Sequence, residues 1–265
     1  GDEPDEQEER HAPGEIEDFF PAILESNRFE TQGGNYYSWP MMKSVLMLYF
    51  NRNVMRDAGV ALIPRTWEQF LESARTIKEE TGKQAFALDM DASTFAGMVF
   101  SRGGRLYANG ETQFDQKASE DSLRLIAALG REELAFQVAP GTFQDQEALA
   151  RDEIAFTLRT SAGLYYMGTL MEGKRDDWGV EMIPQGAGTT LATVLFGPNV
   201  TVFEVGEAQQ QAAWDFVRYF TSVDVQVRWA LGTGYLPVRR SAADHPRMQG
   251  HFAEWEHNDE PFKAL

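Results

Sequence analysis

Residues 45–50 read Val-Leu-Met-Leu-Tyr-Phe, an unbroken apolar run with no polar alternation. A run this short is far below the length of a bilayer span and fits a strand buried on both faces. Such a strand needs helices on either side of its sheet, and the flanking sequence supplies them. Asn51 can cap a helix over 52–57 that Gly59 stops. Thr66 is an N-cap for a helix to about residue 80, with Trp67, Phe70, Leu71, Ala74 and Ile77 on one face and Gly82 at its end. The alternation continues down the chain. Strands are predicted over 84–88, 154–158, 178–183 and 199–203, and helices over 92–101, 117–129, 143–151, 162–172, 207–221 and 223–231. Ile16, Phe19, Phe20 and Ile23 recur at helical spacing over 15–25, Gly33-Gly34 reads as a turn, and 185–190 as a Gly- and Thr-rich loop. From 233 onward the pattern is irregular and partly helical. No internal repeat of fixed period is present. Strands alternating with helices predict an α/β fold, with helices covering a mainly parallel sheet.

The 265 residues are 43% hydrophobic and 12% aromatic, ample for a buried core in one large domain or two small ones. Residues 1–13, with Asp2, Glu3, Asp5, Glu6, Glu8 and Glu9, read as a solvated acidic tail. A net charge of −17 repels phosphodiester backbones and anionic lipid, so no nucleic-acid or membrane-surface partner is expected. The absence of cysteine excludes disulfides, thiolate metal sites and a cysteine nucleophile. The acidic, polar start does not have the pattern of a signal peptide.

Catalytic signatures are scarce. The chain has no G-x-S-x-G elbow, no P-loop and no H-E-x-x-H. The stretch GTGYLP at 232–237 ends in proline where a dinucleotide fingerprint needs a helix to begin. His245, His251 and His257 are spaced by six, about 240° apart on a helix, so they share no face for a metal. No catalytic residue, metal or cofactor is expected. A glycosidase-type carboxylate pair stays open, because such a pair is defined by its separation in space. What remains is a set of aromatic, hydroxyl, amide and glycine residues at element ends and in loops: Trp39, Ser44, Trp67, Thr160, Ser161, Gly197, Asn199 and Tyr235. Open α/β sheets bind ligands at such positions, and these groups suit the apolar faces and hydroxyls of sugars and polyols. Taken singly, each reads first as a core aromatic or a cap.

Successive segments then form a pattern. YSWPMMKSVLMLYFNRNVMRDAGV, PRTWEQFLESARTI, the Gly103-Gly104 loop, ARDEIAFTLRTSAG, DDWGVEMIPQG and AAWDFVRYFTSVDVQVRWALGTGYLPVRRSA follow one another from about residue 15 to the end. In order and approximate spacing they resemble the family 1 extracellular solute-binding proteins of ABC importers, the class of maltose-binding protein, and most nearly its glycerol-3-phosphate-binding branch. The resemblance implies a periplasmic-binding-protein-like α/β fold of two lobes with hinge crossings and a ligand cleft. It places the acidic tail and part of the first lobe at 1–42, the second lobe at 43–195, a further part of the first lobe at 196–233, and the end of the second lobe at 234–265. It also implies an incomplete first lobe, with family segments expected before residue 15 and after residue 265. By the same resemblance Ser44, Trp67, Thr160 with Ser161 beside it, Gly197 and Tyr235 match ligand-contacting positions. Lys43 and Met42 depart from the branch, which has serine and asparagine there, and Lys43 and Arg159 offer positive charge to a phosphate.

The implied function is the substrate-binding component of an ABC importer. A monomer would capture a sugar, polyol or glycerol phosphate in the periplasm or outside the cell, free or lipid-anchored, and deliver it to a membrane permease. A carbohydrate-active hydrolase and a non-transport ligand sensor are the alternative readings.

Overall fold

The computed structural model describes residues 15–29 and 33–265, so the acidic tail expected at 1–13 lies outside the described residues. The chain divides into two compact units. Unit 1 holds the residues up to Ser44, then Gly197–Glu254 and Leu265; unit 2 holds Val45–Phe196 and Trp255–Ala264. Among the described residues no helix is long and apolar enough to cross a membrane.

Unit 2 is built on a six-stranded sheet in the order Trp178–Met182, Ser44–Asn51, Phe156–Thr160, Phe86–Leu88 and Ala135–Gln137, with Leu195–Phe196 added on Ser44–Asn51. The run at 45–50 is the strand foreseen from its hydrophobicity, and every residue of it is buried. Its direction was not foreseen. Ser44–Asn51 runs antiparallel to both neighbours in that order, whereas Phe86–Leu88 is parallel to Phe156–Thr160 and to Ala135–Gln137. The sheet is therefore mixed rather than mainly parallel. A strand buried on both faces has the same apolar sequence whichever way its partners run, so periodicity carries no signal for direction. The short strand Ala135–Gln137, which follows directly on a helix, also escaped the periodicity.

Local chemistry explains the helix starts. Asn51 accepts a hydrogen bond from the Val54 amide at 2.9 Å and donates through Nδ2 to the Leu149 carbonyl at 2.8 Å, joining a helix cap to the core. Thr66 and Gln69 form a reciprocal capping box ahead of Trp67–Thr81, and Gly82 closes that helix in the left-handed conformation. The helix packs Phe70, Ala74 and Ile77 with Leu46, Leu48, Phe50, Phe86, Phe156 and Leu158 in one hydrophobic core. The segment 255–264 lies on the outer strand of this sheet, with the Trp255 ring 4.5 Å from that of Trp178.

Unit 1 is mostly helical. It contains Pro21–Glu25, Glu207–Phe220, Val223–Thr233, Arg240–Ala243 and Pro246–Glu254, with strand pairs of two residues, one joining Trp39–Pro40 to Asn199–Val200. The helix expected over 15–25 begins only at Pro21, because Phe19 pairs with Arg239 as an isolated bridge. The strand expected over 199–203 stops at Val200. Residues 234–254 group with unit 1, although the sequence placed 234–265 in the second lobe. Long-range contacts draw them there. Gln226 accepts from the Val238 amide at 2.9 Å, and Arg239 is ion-paired with Glu15 at 2.8 Å while lying over the Phe19 ring.

Candidate functional site

The sheet of unit 2 brings several chain ends to one edge. Phe86–Leu88, Ala135–Gln137 and Phe156–Thr160 run the same way, so their carboxyl ends lie together, and the antiparallel Ser44–Asn51 starts at that edge. Open α/β sheets take ligands there. Thr160 is half-buried; its carbonyl accepts from the Tyr49 hydroxyl at 2.8 Å, and its own hydroxyl makes no hydrogen bond among the described residues. Ser161 is fully buried, with its amide donating to the Val45 carbonyl and its Oγ accepting from the Val45 amide. Its side chain is spent on closing the strand pair. Tyr165, in the first turn of the helix Gly163–Leu170 that follows, is 62% exposed.

Arg159 does not offer a free charge. Its guanidinium grips the fully buried Asp145 through Nε at 2.6 Å and Nη2 at 2.5 Å, and Asp89 stands 3.4 Å from Nη1. The hydrogen bonds to Asp145 raise the Arg159 pKa, while burial raises that of Asp89 against the pull of Arg159. With two carboxylates on one guanidinium, the cluster is an internal ion-pair network and not a phosphate cradle.

Two tryptophans leave the site. Trp67 is 2% exposed, lies in the core of unit 2, donates from Nε1 to Ser101 Oγ at 2.9 Å and carries Arg102 over its ring. Trp39 is buried in unit 1, edge-on to Phe19, Tyr36 and Trp214. Neither ring has a face open to a ligand. The core reading holds for both, and the stacking role expected of Trp67 is withdrawn.

Unit 1 gathers most of the remaining candidates. The Lys43 amide donates to the Leu236 carbonyl at 3.1 Å and the Leu236 amide returns a bond to Lys43 at 2.6 Å, which sets Tyr235 beside this strand. Gly197 has φ of +127°, and a Cβ there would meet the Met42 carbonyl oxygen at 2.2 Å, so only glycine allows this approach. Lys43 Nζ donates to Asn199 Oδ1 at 2.7 Å and, at 3.4 Å, to the Gly197 carbonyl. Ser44 is buried next to Lys43, and Tyr235 is half-buried after the left-handed Gly234. Lys43, Gly197, Asn199 and the backbone at 235–236 thus form one assembly.

The electrostatics of that assembly are unusual. The other buried charged groups have opposite charges at hand: Asp145 has Arg159, Arg239 has Glu15 and Asp18, and Glu260 has Lys263. Burial lowers the His257 pKa, so its neutral form needs no counter-charge. Lys43 is 3% exposed and has only neutral acceptors among the described residues. Burial lowers its pKa accordingly.

Comparison with known proteins accounts for this architecture. Residues 8–258 match the family described as bacterial extracellular solute-binding protein. The chain belongs to that family. Among solute-binding proteins, the lactose-binding protein of Rhizobium radiobacter is 25% identical over 205 residues, covering 74% of this chain and 47% of the relative. The sugar-binding protein MalE of Xanthomonas citri superposes with a TM-score of 0.81 at 20% identity, over 99% of this chain and 65% of that one. UgpB of Mycobacterium tuberculosis, solved in complex with glycerophosphocholine, also gives 0.81, at 19% identity over 94% and 62%. These superpositions show that the α/β fold is that of the MalE-like binding proteins. The chain spans about half the length of the curated relatives it matches.

Proposed function

We propose that this chain is the substrate-capturing component of an ABC-type importer, binding a small polar solute without altering it and presenting it to a membrane permease outside the cytoplasm. Family membership over 8–258 is the observation that carries this reading. The relative named for lactose and the neighbour solved with glycerophosphocholine support a sugar, a polyol or a glycerol phosphate as the solute class.

In this reading Lys43 and Asn199 of unit 1 bond the solute, and Thr160, with its free hydroxyl, is a separate candidate on unit 2. The Gly197 turn, where the Met42 backbone takes the space of a Cβ, holds Lys43 beside Asn199, and the Tyr235 ring packs on an apolar face of the solute. Ser44, buried beside Lys43, fixes the strand that carries it. Ser161 supports Thr160 through its bonds to Val45.

Thermal unfolding of the 265-residue chain against sugars, polyols and glycerophosphates tests the proposal, with the solutes recovered afterwards and analysed for cleavage. A saturable rise in midpoint with an unchanged solute is the expected result. Cleavage of an oligosaccharide would replace binding with hydrolysis as the function.

A further inference from the structure

We propose that Lys43 makes this chain selective for solutes carrying an oxyanion, a phosphate group foremost, with its ammonium as the donor that meets the charge. The inference rests on the solute-capture reading and gives it a ligand class and a specificity-determining residue.

An ammonium has three donor directions, and two are accounted for, one by Asn199 Oδ1 and a long one by the Gly197 carbonyl. A buried cation held only by neutral acceptors forfeits hydration without gaining a counter-charge. Folded chains keep such an arrangement out of ordinary ion-pair networks, and the other buried charges here show the ordinary solution of a partner of opposite sign. An arriving oxyanion would supply the missing charge and take the third donor. Asn199, the main acceptor 2.7 Å from the ammonium, is itself exposed, so the assembly reaches the protein surface at this residue. The alternative cation fails on the same ground: Arg159 is already neutralised by Asp145 and Asp89. Lysine suits this task as a compact point charge, which a phosphate accepts without bidentate geometry.

The test pairs each neutral solute with its phosphorylated form, glycerol with glycerol 3-phosphate and glucose with glucose 6-phosphate. Inorganic phosphate is run alone. Thermal shifts and titration calorimetry on the 265-residue chain are taken at about 0.15 M salt, where a Debye length of about 8 Å limits repulsion from the net charge of −17. At least one phosphorylated member is expected to bind at least about tenfold more tightly than its neutral partner, a difference worth about 1.4 kcal/mol. Lys43→Met should abolish that difference. Asn199→Asp places a carboxylate on the ammonium from within. It should raise the ligand-free midpoint and also abolish the preference, which keeps the test informative if Lys43→Met does not fold. Equal affinities within every pair, or a preference that survives in both variants, would overturn the inference. Tight binding of neutral solutes alone overturns it while leaving solute capture intact; silence toward every solute overturns both.

Discussion

Gly197 and Trp67 show what a single residue discloses about itself before its neighbours are known. Gly197 was a candidate from its loop placement and again from a resemblance; what the structure adds, a backbone approach that leaves no room for a Cβ, is purely three-dimensional. Gly197→Ala combines a strained positive φ with a clash against the Met42 carbonyl. It should lower stability by about 1–3 kcal/mol, read as a reduced denaturant midpoint at constant slope. Trp67 misled for the opposite reason. A tryptophan at a helix start resembles a stacking platform, and nothing local reveals that Ser101 satisfies its indole or that the ring sits in the core. Trp67→Ala should therefore cost about 3–5 kcal/mol of folding stability by opening a cavity. A stable variant with solute affinity selectively lost would return Trp67 to the site.

Elements were easier to find than their partners. The helix Glu207–Phe220 followed from its periodicity, yet Val217 is its one buried residue, and Phe216 and Tyr219 on it are 56% and 60% exposed. Periodicity reports that a face is apolar, not what covers it. The closing segment 255–264 gave no periodic signal, because chemistry rather than amphipathicity holds it to Trp178–Met182. His257 sits over Gly179, where a Cβ would collide with its ring, and Glu260 hydrogen-bonds Glu181. Burial first, then that hydrogen bond and the negative charge of Glu260, push the Glu181 pKa up to about 7, against the pull of Lys263 and Arg65. In the unfolded chain the same carboxyl ionises near 4.5. Its contribution is therefore intact below that value and lost as pH rises through about 7. His257 works the other way: burial lowers its pKa, so its contribution is present above the ordinary histidine range and lost as pH falls through the lowered value. Glu181→Gln should flatten the decline on the alkaline side, leaving the variant more stable than the parent at pH 8 and similar to it near pH 4. Thermal midpoints across that range check the sign, and a parental decline unchanged in the variant would assign it to other groups.

For the whole molecule, the ordered run of segments identified the family where composition and charge could only exclude partners. The allocation of 234–254 was beyond that signal. It depends on Gln226 reaching Met41 and Val238 and on Arg239 reaching Glu15 and Asp18, contacts between residues far apart in sequence. The same contacts predict how stability is distributed. Unit 2 keeps its central strands Ser44–Asn51 and Phe156–Thr160 bonded on both sides and packed in a large core, whereas unit 1 relies on helices and strand pairs of two residues. Amides deep in a core open only near global unfolding, while those of a helix with one buried residue open locally. Hydrogen exchange should therefore be slowest in the two central strands and much faster along Glu207–Phe220. A bound solute that engages Lys43 must also steady the strand that carries it. The Lys43 and Leu236 amides, which bond each other's carbonyls, should then slow on addition of solute, while those of Phe86–Leu88 stay unchanged. Uniform slowing across both units would mean that the solute stabilises the fold as one block; slowing confined to the vicinity of Thr160 would remove Lys43 and its neighbours from the binding surface.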